Sequence, residues 1–261
     1  MKSAALADTF RIMTYNVHRC VGTDGKLSPQ RIAEVIGACD PDIVALQELD
    51  VGRVRTGRVD QTAEIARALD MRSHFHPALQ VFNEQYGDAI LTRSSATLVK
   101  ARLLPSPASS RRREPRGAIW VATEIAGCQI NIINTHLGLT RSERSMQVGA
   151  LIGPDWIGGG SDTRALILAG DFNVGRRSRT YRRLAACLRP TRDGLPNRQL
   201  RTFPSRLPVL ALDHIFAGDA ITISALRTIR TPLTRLASDH LPLIADFRIL
   251  RDDDAGREQT A

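Results

Sequence analysis

Six short apolar runs along the chain each carry polar residues at one end. Apolar runs bounded by polar or turn residues are typical of buried strands. In the first four runs the polar residues come late, and in the last two they come at the start. If the last two strands run antiparallel to the other four, all six polar ends meet at one edge. The runs are 11–17 (RIMTYNV), 42–49 (DIVALQEL), 129–137 (QINIINTHL), 166–174 (LILAGDFNV), 212–217 (LDHIFA) and 238–247 (SDHLPLIADF).

The segments between these runs predict helices and further strands. Amphipathic patterns predict helices over 29–39, 60–69, 141–152 and 178–187. Shorter runs predict strands over 89–92, 96–103, 117–125 and 221–227. A turn at Ala126-Gly127 would join the third of these strands to the next run as a hairpin. Because hairpins and crossovers both occur, we expect mixed sheets in an α/β (α+β) fold.

The 261 residues contain no linker rich in Pro, Gly and Ser between two apolar sets. We therefore expect one domain over 1–261, with its core at about 10–250 and a disordered tail at 251–261. The amino end lacks a signal-peptide pattern, and no stretch approaches the ~20 apolar residues of a membrane span. The four scattered cysteines predict free buried thiols rather than a zinc site or disulfides. We expect a cytoplasmic monomer.

The formal net charge is +9, and arginine supplies most of the positive charge. Such a balance favours an anionic partner, such as nucleic acid, an acidic membrane surface or a phosphorylated metabolite. Arginine-rich composition also accompanies GC-rich genomes, so the charge alone does not decide. A cluster of arginines after the fourth run strengthens the functional interpretation, whereas aromatics for base stacking are scarce. The cluster comprises Arg176, Arg177, Arg179, Arg182 and Arg183.

Polar residues at two run ends suggest phosphate chemistry. Asp171 and Asn173 lie two residues apart, so in extended backbone both side chains leave the same face. There they could orient a water molecule and hold a phosphate oxygen, although a simple polar turn is the alternative. Glu48 ends the second run, where a carboxylate is costly to bury without a cation or hydrogen bonds. Mg²⁺ takes such oxygen ligands.

Two further residues could complete this metal site. Asn16 offers a neutral oxygen, and Asp239 offers a direct or water-mediated contact. The alternatives are structural: Asn16 could cap a turn, and Glu48 could pair with an arginine such as Arg53.

Taken in order, the motifs TYN, QE, THL, GDFN, LDHI and SDHLPL resemble the endonuclease/exonuclease/phosphatase superfamily. That superfamily includes DNase I-like nucleases, abasic-site endonucleases, sphingomyelinases and inositol polyphosphate 5-phosphatases. The resemblance extends over residues 11–249 and is specific as an ordered set. It implies a four-layer αββα sandwich, with two mixed β-sheets packed face to face and helices outside. It also implies phosphoester hydrolysis with Mg²⁺, for which Mn²⁺ could substitute.

The resemblance assigns roles to the polar run ends. Asn16 and Glu48 match the metal-binding asparagine and glutamate of the family. Asp213 would hold His240, which fixes the tautomer of the imidazole and raises its basicity. His136 would bind phosphoryl oxygens or stabilise the leaving group.

In the same family pattern, Asp171 would orient or deprotonate the attacking water, and Asn173 would hydrogen-bond a non-bridging oxygen. Mechanisms within the family differ in whether this aspartate or the residue matching His240 is the base. Asp88 stands in YGDAILTR where the family often has asparagine. Its charge would repel a phosphate unless the side chain faces away or binds a cation. Four histidines without motif support are interpreted as core or surface residues: His18, His74, His76 and His214.

The charge of the rim bears on the substrate. A basic rim favours a diester in a polyanion, so we expect a nuclease-like phosphodiesterase with nucleic acid as its partner. The candidate substrate contacts are Arg116, Arg176 and Arg177. A phospholipid or inositol-phosphate hydrolase is the alternative, since sphingomyelinases and 5-phosphatases share the motifs. An inactive, arginine-rich binding module is a further alternative, but it would not need polar residues at every run end.

Overall fold

The computed structural model describes residues 9–108, 113–159, 163–191 and 200–250. Within these ranges, twelve strands form two six-stranded sheets. Helices cover the outer face of each sheet. The tail expected at 251–261 lies outside the described residues.

The first sheet is built from both ends of the chain. Its strands are β1 (Phe10–Asn16), β2 (Ile43–Val51), β3 (Arg72–Val81), β4 (Glu84–Thr92), β11 (Ile221–Thr228) and β12 (Leu243–Ile249). Their order across the sheet is β11-β12-β1-β2-β4-β3, which places the parallel pair β1 and β2 at the centre.

The second sheet comes from the middle of the chain. Its strands are β5 (Ala96–Leu103), β6 (Gly117–Ile125), β7 (Cys128–His136), β8 (Leu166–Asp171), β9 (Arg189–Pro190) and β10 (Asp213–Ala217). Their order is β5-β6-β7-β8-β10-β9, again with a parallel pair, β7 and β8, at the centre. The predicted hairpin between β6 and β7 is confirmed.

The helices form the two outer layers. The first sheet is covered by α1 (Pro29–Gly37), α2 (Gln61–Ala68) and α5 (Pro232–Ala237), and the second by α3 (Arg141–Leu151) and α4 (Arg179–Ala185). Each helix begins after a residue whose side chain accepts a backbone N–H bond of the first turn. These residues are Ser28, Asp60, Thr140, Ser178 and Thr231. None of the described helices is long and apolar enough to cross a membrane.

Alternate residues of the central strands contact different hydrophobic clusters. In β1, Ile12 faces the layer between the sheets, whereas Met13 and Tyr15 face the helices. In β8, Ile167 faces the layer between the sheets and Leu168 faces α3 and α4. Both faces of each sheet are therefore buried at its centre. The predicted four-layer αββα sandwich is confirmed.

The strand directions bring the predicted polar ends to one edge. β12 runs antiparallel to β1, and β10 runs antiparallel to β8. The starts of these two strands therefore lie beside the ends of β1 and β8. This is the arrangement that the sequence predicts from the reversed position of the polar residues.

Several details of the strands differ from the sequence prediction, including the start of β4 at Glu84 rather than at residue 89. Because β2 continues to Val51, Glu48 lies at a bulge within the strand rather than at its end. Because β12 begins at Leu243, Asp239 and His240 lie in the loop before it. The apolar pattern does not predict β3, since this edge strand buries few of its side chains.

The cysteines are free, but the prediction that they are buried is largely wrong. Only Cys20 is buried, whereas Cys39 and Cys128 are partly exposed and Cys187 is exposed. Cys187 lies just after α4, in an outer layer, which explains its exposure.

Candidate active site

Asp171 lies at the centre of the polar cluster at this edge. It is the last residue of β8, and His136 is its register partner at the end of β7. Its Oδ2 lies 3.6 Å from His136 Nε2 and 3.6 Å from His240 Nε2. The same oxygen accepts a hydrogen bond of 3.1 Å from Asn16 Nδ2. Side chains from both sheets and from the loop before β12 therefore converge on one carboxylate.

Asp213 and His240 form a buried pair beside it. Asp213 opens β10 directly opposite Asp171, and its Oδ2 lies 3.0 Å from His240 Nδ1. Burial by itself would lower the pKa of His240, but the Asp213 and Asp171 carboxylates outweigh it and raise that pKa to about 10. The ring of Phe203 packs against the imidazole, with centroids 4.9 Å apart. The structure thus forms the pairing that the resemblance implies.

The pKa values of Asp171 and His136 shift in ways that follow from burial. Burial raises the pKa of Asp171 to about 6, although the neighbouring His240 lowers it. Burial also lowers the pKa of His136, and the positive charges of Arg116 and His240 lower it further. At neutral pH, and without a metal ion, Asp171 is mainly ionised, His240 is protonated and His136 is neutral.

Asn173 reaches the cluster by a different route from the predicted one. The strand ends at Asp171, and Asn173 has a left-handed backbone with φ of 51°. The prediction of two side chains leaving an extended strand together is therefore wrong. Instead, the backbone N–H of Asn173 donates to Asp171 Oδ1 over 2.9 Å. Its Nδ2 lies 2.9 Å from Leu137 O and 3.1 Å from His136 Nε2, so the amide orients the imidazole.

The backbone at position 170 requires a glycine directly before the central aspartate. Its φ is 149°, a conformation that L side chains rarely adopt. A Cβ at this position would collide with the backbone of Thr135 in the adjacent strand β7. The glycine therefore permits the close approach of β7 and β8 that brings His136 to Asp171.

Glu48 and Asn16 form the side of the cluster that belongs to the first sheet. Glu48 has φ of 62°, a strained conformation for a residue other than glycine, at the bulge in β2. Its Oε1 accepts a hydrogen bond of 3.0 Å from Asn16 Nδ2 and lies 4.0 Å from His136 Nδ1. Arg53 pairs with Glu84 at 3.0 Å, so the alternative pairing of Glu48 with Arg53 is not formed.

The amide oxygen of Asn16 is used within the chain. It accepts the backbone N–H of His18 over 3.0 Å, so Asn16 does cap a turn while its nitrogen bridges two carboxylates. Asp239 lies at the exposed rim of the site, where its Oδ1 is 3.8 Å from His18 Nδ1. That places His18 at the site, although the sequence interpretation leaves it out. The roles of Asn16 and Asp239 as metal ligands stay predictions.

The donor chemistry at this edge fits a divalent cation. Ligand atoms of Asp171, Asp213 and His240 lie within 4.8 Å of one another, and Glu48 supplies a further, partly exposed carboxylate. Carboxylate oxygens suit Mg²⁺, whereas an imidazole nitrogen suits softer transition metals. Two donor sets are therefore available, one around Glu48 and one around Asp213.

A buried amide network connects the two sheets beneath the site. Gln47 Nε2 lies 2.7 Å from Asn134 Oδ1 and 3.1 Å from Thr14 Oγ1. Asn134 Nδ2 donates to the carbonyls of Leu46 and Ala89, each over 2.8 Å. Since Gln47 precedes Glu48 and Asn134 lies two residues before His136, this network sets the spacing of those groups. The sequence signal for it is an asparagine at an inward position of β7, on the face where the preceding residues Ile130 and Ile132 are apolar.

Arg116 and Asp88 are buried at the same end of the sheets. Burial raises the pKa of Asp88 to about 7, and the nearby Arg116 guanidinium lowers it. The backbone N–H of Glu48 faces the Asp88 carboxylate. Arg116 lies beside Tyr86 and Glu114, and its Nη1 is 3.4 Å from Glu114 Oε2. Substrate binding by Arg116 stays a prediction.

The two other predicted substrate contacts lie on the surface. Arg176 and Arg177 are exposed in the connection between β8 and α4. Arg177 lines a cleft between α3 and α4, together with further arginines. Contact of these two residues with a substrate also stays a prediction.

Comparison with known proteins identifies the family. Residues 13–240 match the model of the Endonuclease/Exonuclease/phosphatase family. The chain belongs to this family. Its members are hydrolases that act on phosphoesters.

A similar protein is the uncharacterised protein YbhP of Escherichia coli K12. It is 26% identical over 252 residues, which cover 92% of this chain and 97% of YbhP. The fold resembles an endonuclease/exonuclease/phosphatase of Beutenbergia cavernae (TM-score 0.75, 21% identity, 93% of this chain and 72% of that one). It also resembles a mannosyl-6-phosphatase of Bacteroides thetaiotaomicron (TM-score 0.70, 19% identity, 91% of this chain and 99% of that one).

Proposed function

We propose that this protein is a Mg²⁺-dependent phosphoester hydrolase that acts by in-line attack of an activated water. The observation that carries the proposal is the convergence of three side chains, from both sheets and from the loop before β12, on the Asp171 carboxylate. Buried, convergent titratable groups with shifted pKa values are typical of catalytic sites. An inactive binding module would gain nothing from burying these charges together.

Asp171 is the group we assign to the water. With a pKa of about 6 next to the positive charge of His240, it is mainly ionised at neutral pH, whereas His240 already carries a proton between two carboxylates. His240 is therefore set to donate a hydrogen bond to a phosphoryl oxygen, with Asp213 holding its ring. Asn173 orients the neutral ring of His136, whose Nδ1 faces the Glu48 side of the site. A phosphate contact of Asn173 itself remains part of the proposal.

The donor set supports a metal ion at Glu48, with Asn16 and Asp239 as the further ligands that we propose. When bound, Mg²⁺ would neutralise charge on the phosphoryl group, and Mn²⁺ could replace it. Glu48 supplies the carboxylate for this role, and its strained backbone holds the side chain toward His136.

Hydrolysis of bis-p-nitrophenyl phosphate tests this chemistry. We expect activity with Mg²⁺ or Mn²⁺ and none in EDTA. Glu48→Ala and His240→Ala should each lower kcat/KM by at least about 10²-fold. Glu34→Ala removes an exposed carboxylate of α1 and is the control. Full activity in EDTA, or in both site variants, would contradict the proposal.

For the substrate, we propose a nuclease-like phosphodiesterase that cleaves nucleic acid. The support is the concentration of exposed arginines on α3, on α4 and in the connection that follows the Asp171 strand. Cleavage of a phospholipid or an inositol phosphate is the alternative. Because the fold is similar to that of a mannosyl-6-phosphatase, small phosphate esters are also candidate substrates.

A panel of substrates separates these possibilities. Plasmid DNA, single-stranded DNA, RNA, phosphatidylglycerol vesicles and inositol phosphates would be incubated with Mg²⁺ at two salt concentrations. We expect cleavage of nucleic acid that weakens as salt rises, because bound phosphates release counterions. Cleavage of a lipid or soluble phosphate while nucleic acids stay intact would overturn the substrate proposal and leave the chemistry standing.

We also propose a cytoplasmic monomer, since the four free cysteines suit a reducing compartment.

A further inference from the structure

The outer layer of the second sheet contains a cleft lined mainly by arginines. It lies between α3 and α4 and has a volume of about 780 Å³. Its other lining residues are Ser145, Ser178 and Thr180, so no carboxylate lines it. We call this feature the arginine cleft. Its six arginines are Arg141, Arg144, Arg177, Arg179, Arg182 and Arg183.

Two of these arginines build the walls of the cleft. Arg144 NH1 donates to the carbonyls of Gly138 and Leu139, over 3.0 and 2.6 Å. Arg183 NH1 donates to the carbonyl of Ser145 over 2.9 Å, which ties α4 to α3. These bonds use backbone acceptors, so they do not neutralise either side chain, although the nearby Glu143 carboxylate offsets part of the charge of Arg144.

The remaining four arginines are exposed. Among the described residues, no carboxylate forms an ion pair with Arg141, Arg177, Arg179 or Arg182. On α4, the guanidinium groups follow one another at helical spacings of three and four residues, where like charges repel. A bound polyanion would remove this repulsion.

The chain connects the arginine cleft directly to the candidate active site. α3 begins five residues after His136, and α4 begins six residues after Asn173. Asn173 in turn donates to the carbonyl of Leu137, so the two connections touch where they leave the site. A chain-like substrate held at Asp171 could therefore continue between the two helices.

We propose that the arginine cleft binds the phosphodiester backbone of a single-stranded nucleic acid whose neighbouring bond lies at Asp171. This inference rests on the proposed function. Guanidinium and hydroxyl groups are the donors that bind phosphate oxygens. The cleft is concave, which suits a strand, whereas a flat membrane surface meets projecting basic residues. No aromatic residue lines it, so binding depends on charge and not on the bases.

Binding of a fluorescein-labelled 20-nucleotide oligodeoxythymidine tests the proposal. Fluorescence anisotropy would be measured with the full chain in EDTA, which prevents metal-dependent cleavage, from 50 to 300 mM NaCl. The cleft variant is Arg179→Gln with Arg182→Gln. The charge-matched control is Arg67→Gln with Arg72→Gln, two exposed residues on α2 and β3 of the other sheet. All four side chains are exposed, so neither variant should disturb the fold.

We expect the cleft variant to bind at least about ten-fold more weakly at 100 mM NaCl. The slope of log Kd against log salt should fall by about 1.4, since each phosphate contact to a single strand contributes about 0.7. The control should keep the wild-type slope. Equal slopes in the two variants, or no binding by the wild type, would overturn the proposal. If the cleft variant loses binding to phosphatidylglycerol vesicles and keeps oligonucleotide binding, the proposal is overturned in favour of a membrane surface.

Hydrolysis of bis-p-nitrophenyl phosphate separates failure of this proposal from failure of the proposed function. The substrate is too small to reach from Asp171 along the cleft, so the cleft variant should hydrolyse it at the wild-type rate. Unchanged oligonucleotide binding with intact hydrolysis would refute the cleft alone. Absence of hydrolysis in the wild type would refute the proposed function, whereas the binding result would still decide the cleft.

Discussion

Replacing Asp88 with asparagine should stabilise the protein at alkaline pH. Asp88 is buried next to the backbone of Glu48, and burial raises its pKa from 3.8 to about 7. Arg116 lowers this pKa, but it does not compensate for the loss of water around the carboxylate. The folded protein therefore pays for ionising Asp88 whenever the pH exceeds about 7. Asparagine keeps an oxygen that can accept the Glu48 N–H and carries no charge.

The sign of the pH dependence follows from proton binding. Between pH 4 and 7 the unfolded chain has lost the Asp88 proton while the folded protein still holds it. The folded state binds more protons in this range, so its stability falls as the pH rises. One pKa unit corresponds to about 1.4 kcal/mol, so the change from 3.8 to about 7 sets a ceiling of about 4 kcal/mol. Relaxation around the carboxylate lowers this ceiling, and we expect a gain of about 2 to 4 kcal/mol at pH 8.

Urea unfolding of the wild type and of Asp88→Asn, from pH 4.5 to 8.5 in EDTA, measures the effect. EDTA keeps a metal ion from lowering the pKa of Asp88. The gain of the variant should be small at pH 4.5, grow through neutrality and reach a plateau near pH 8. Asp70→Asn removes an exposed carboxylate and is the control, which should show no such growth. A gain for Asp88→Asn that is absent at pH 8, or equal at all pH values, would refute the reasoning.

Two further predictions concern groups around the site. Asn134→Leu should lower the free energy of unfolding by about 2 to 4 kcal/mol, because Gln47 and two backbone carbonyls lose a buried partner. Urea unfolding measures this loss, and a loss below about 0.5 kcal/mol would contradict the prediction. Asp213→Asn should lower the pKa of His240 from about 10 by at least one unit, because the nearest carboxylate is lost. An NMR titration of the imidazole measures this pKa, and an unchanged value would show that Asp213 does not stabilise the protonated ring.

Local patterns along the chain are sufficient to predict much of the fold. The strands β5 and β6 have the bounds that their apolar runs predict. The predicted helices are all present, with ends that differ by at most two residues. The reversed position of the polar residues also predicts the strand directions. These features depend on neighbouring residues, which is why a single sequence reveals them.

The features that the sequence does not predict depend on distant partners. The bulge at Glu48 arises from pairing with β4, and no local signal distinguishes it from a regular strand. Asn173 turns into a left-handed conformation to reach Leu137, which is 36 residues away. The amide network of Gln47 and Asn134 joins two sheets across 87 residues. The arginine cleft likewise needs Arg141 and Arg144 of α3, which are distant in sequence from the arginine cluster after GDFN.

In the proposed mechanism, Asp171 and His240 act together on a phosphoester. The most direct test is a double-mutant cycle on bis-p-nitrophenyl phosphate with saturating Mg²⁺, using Asp171→Asn, His240→Gln and both together. Because the two groups serve one step, each single variant should lower kcat/KM by at least about 10²-fold. The double variant should then lose at most about ten-fold more than the worse single variant. Single variants within two-fold of the wild type, or losses that multiply fully in the double variant, would contradict the account.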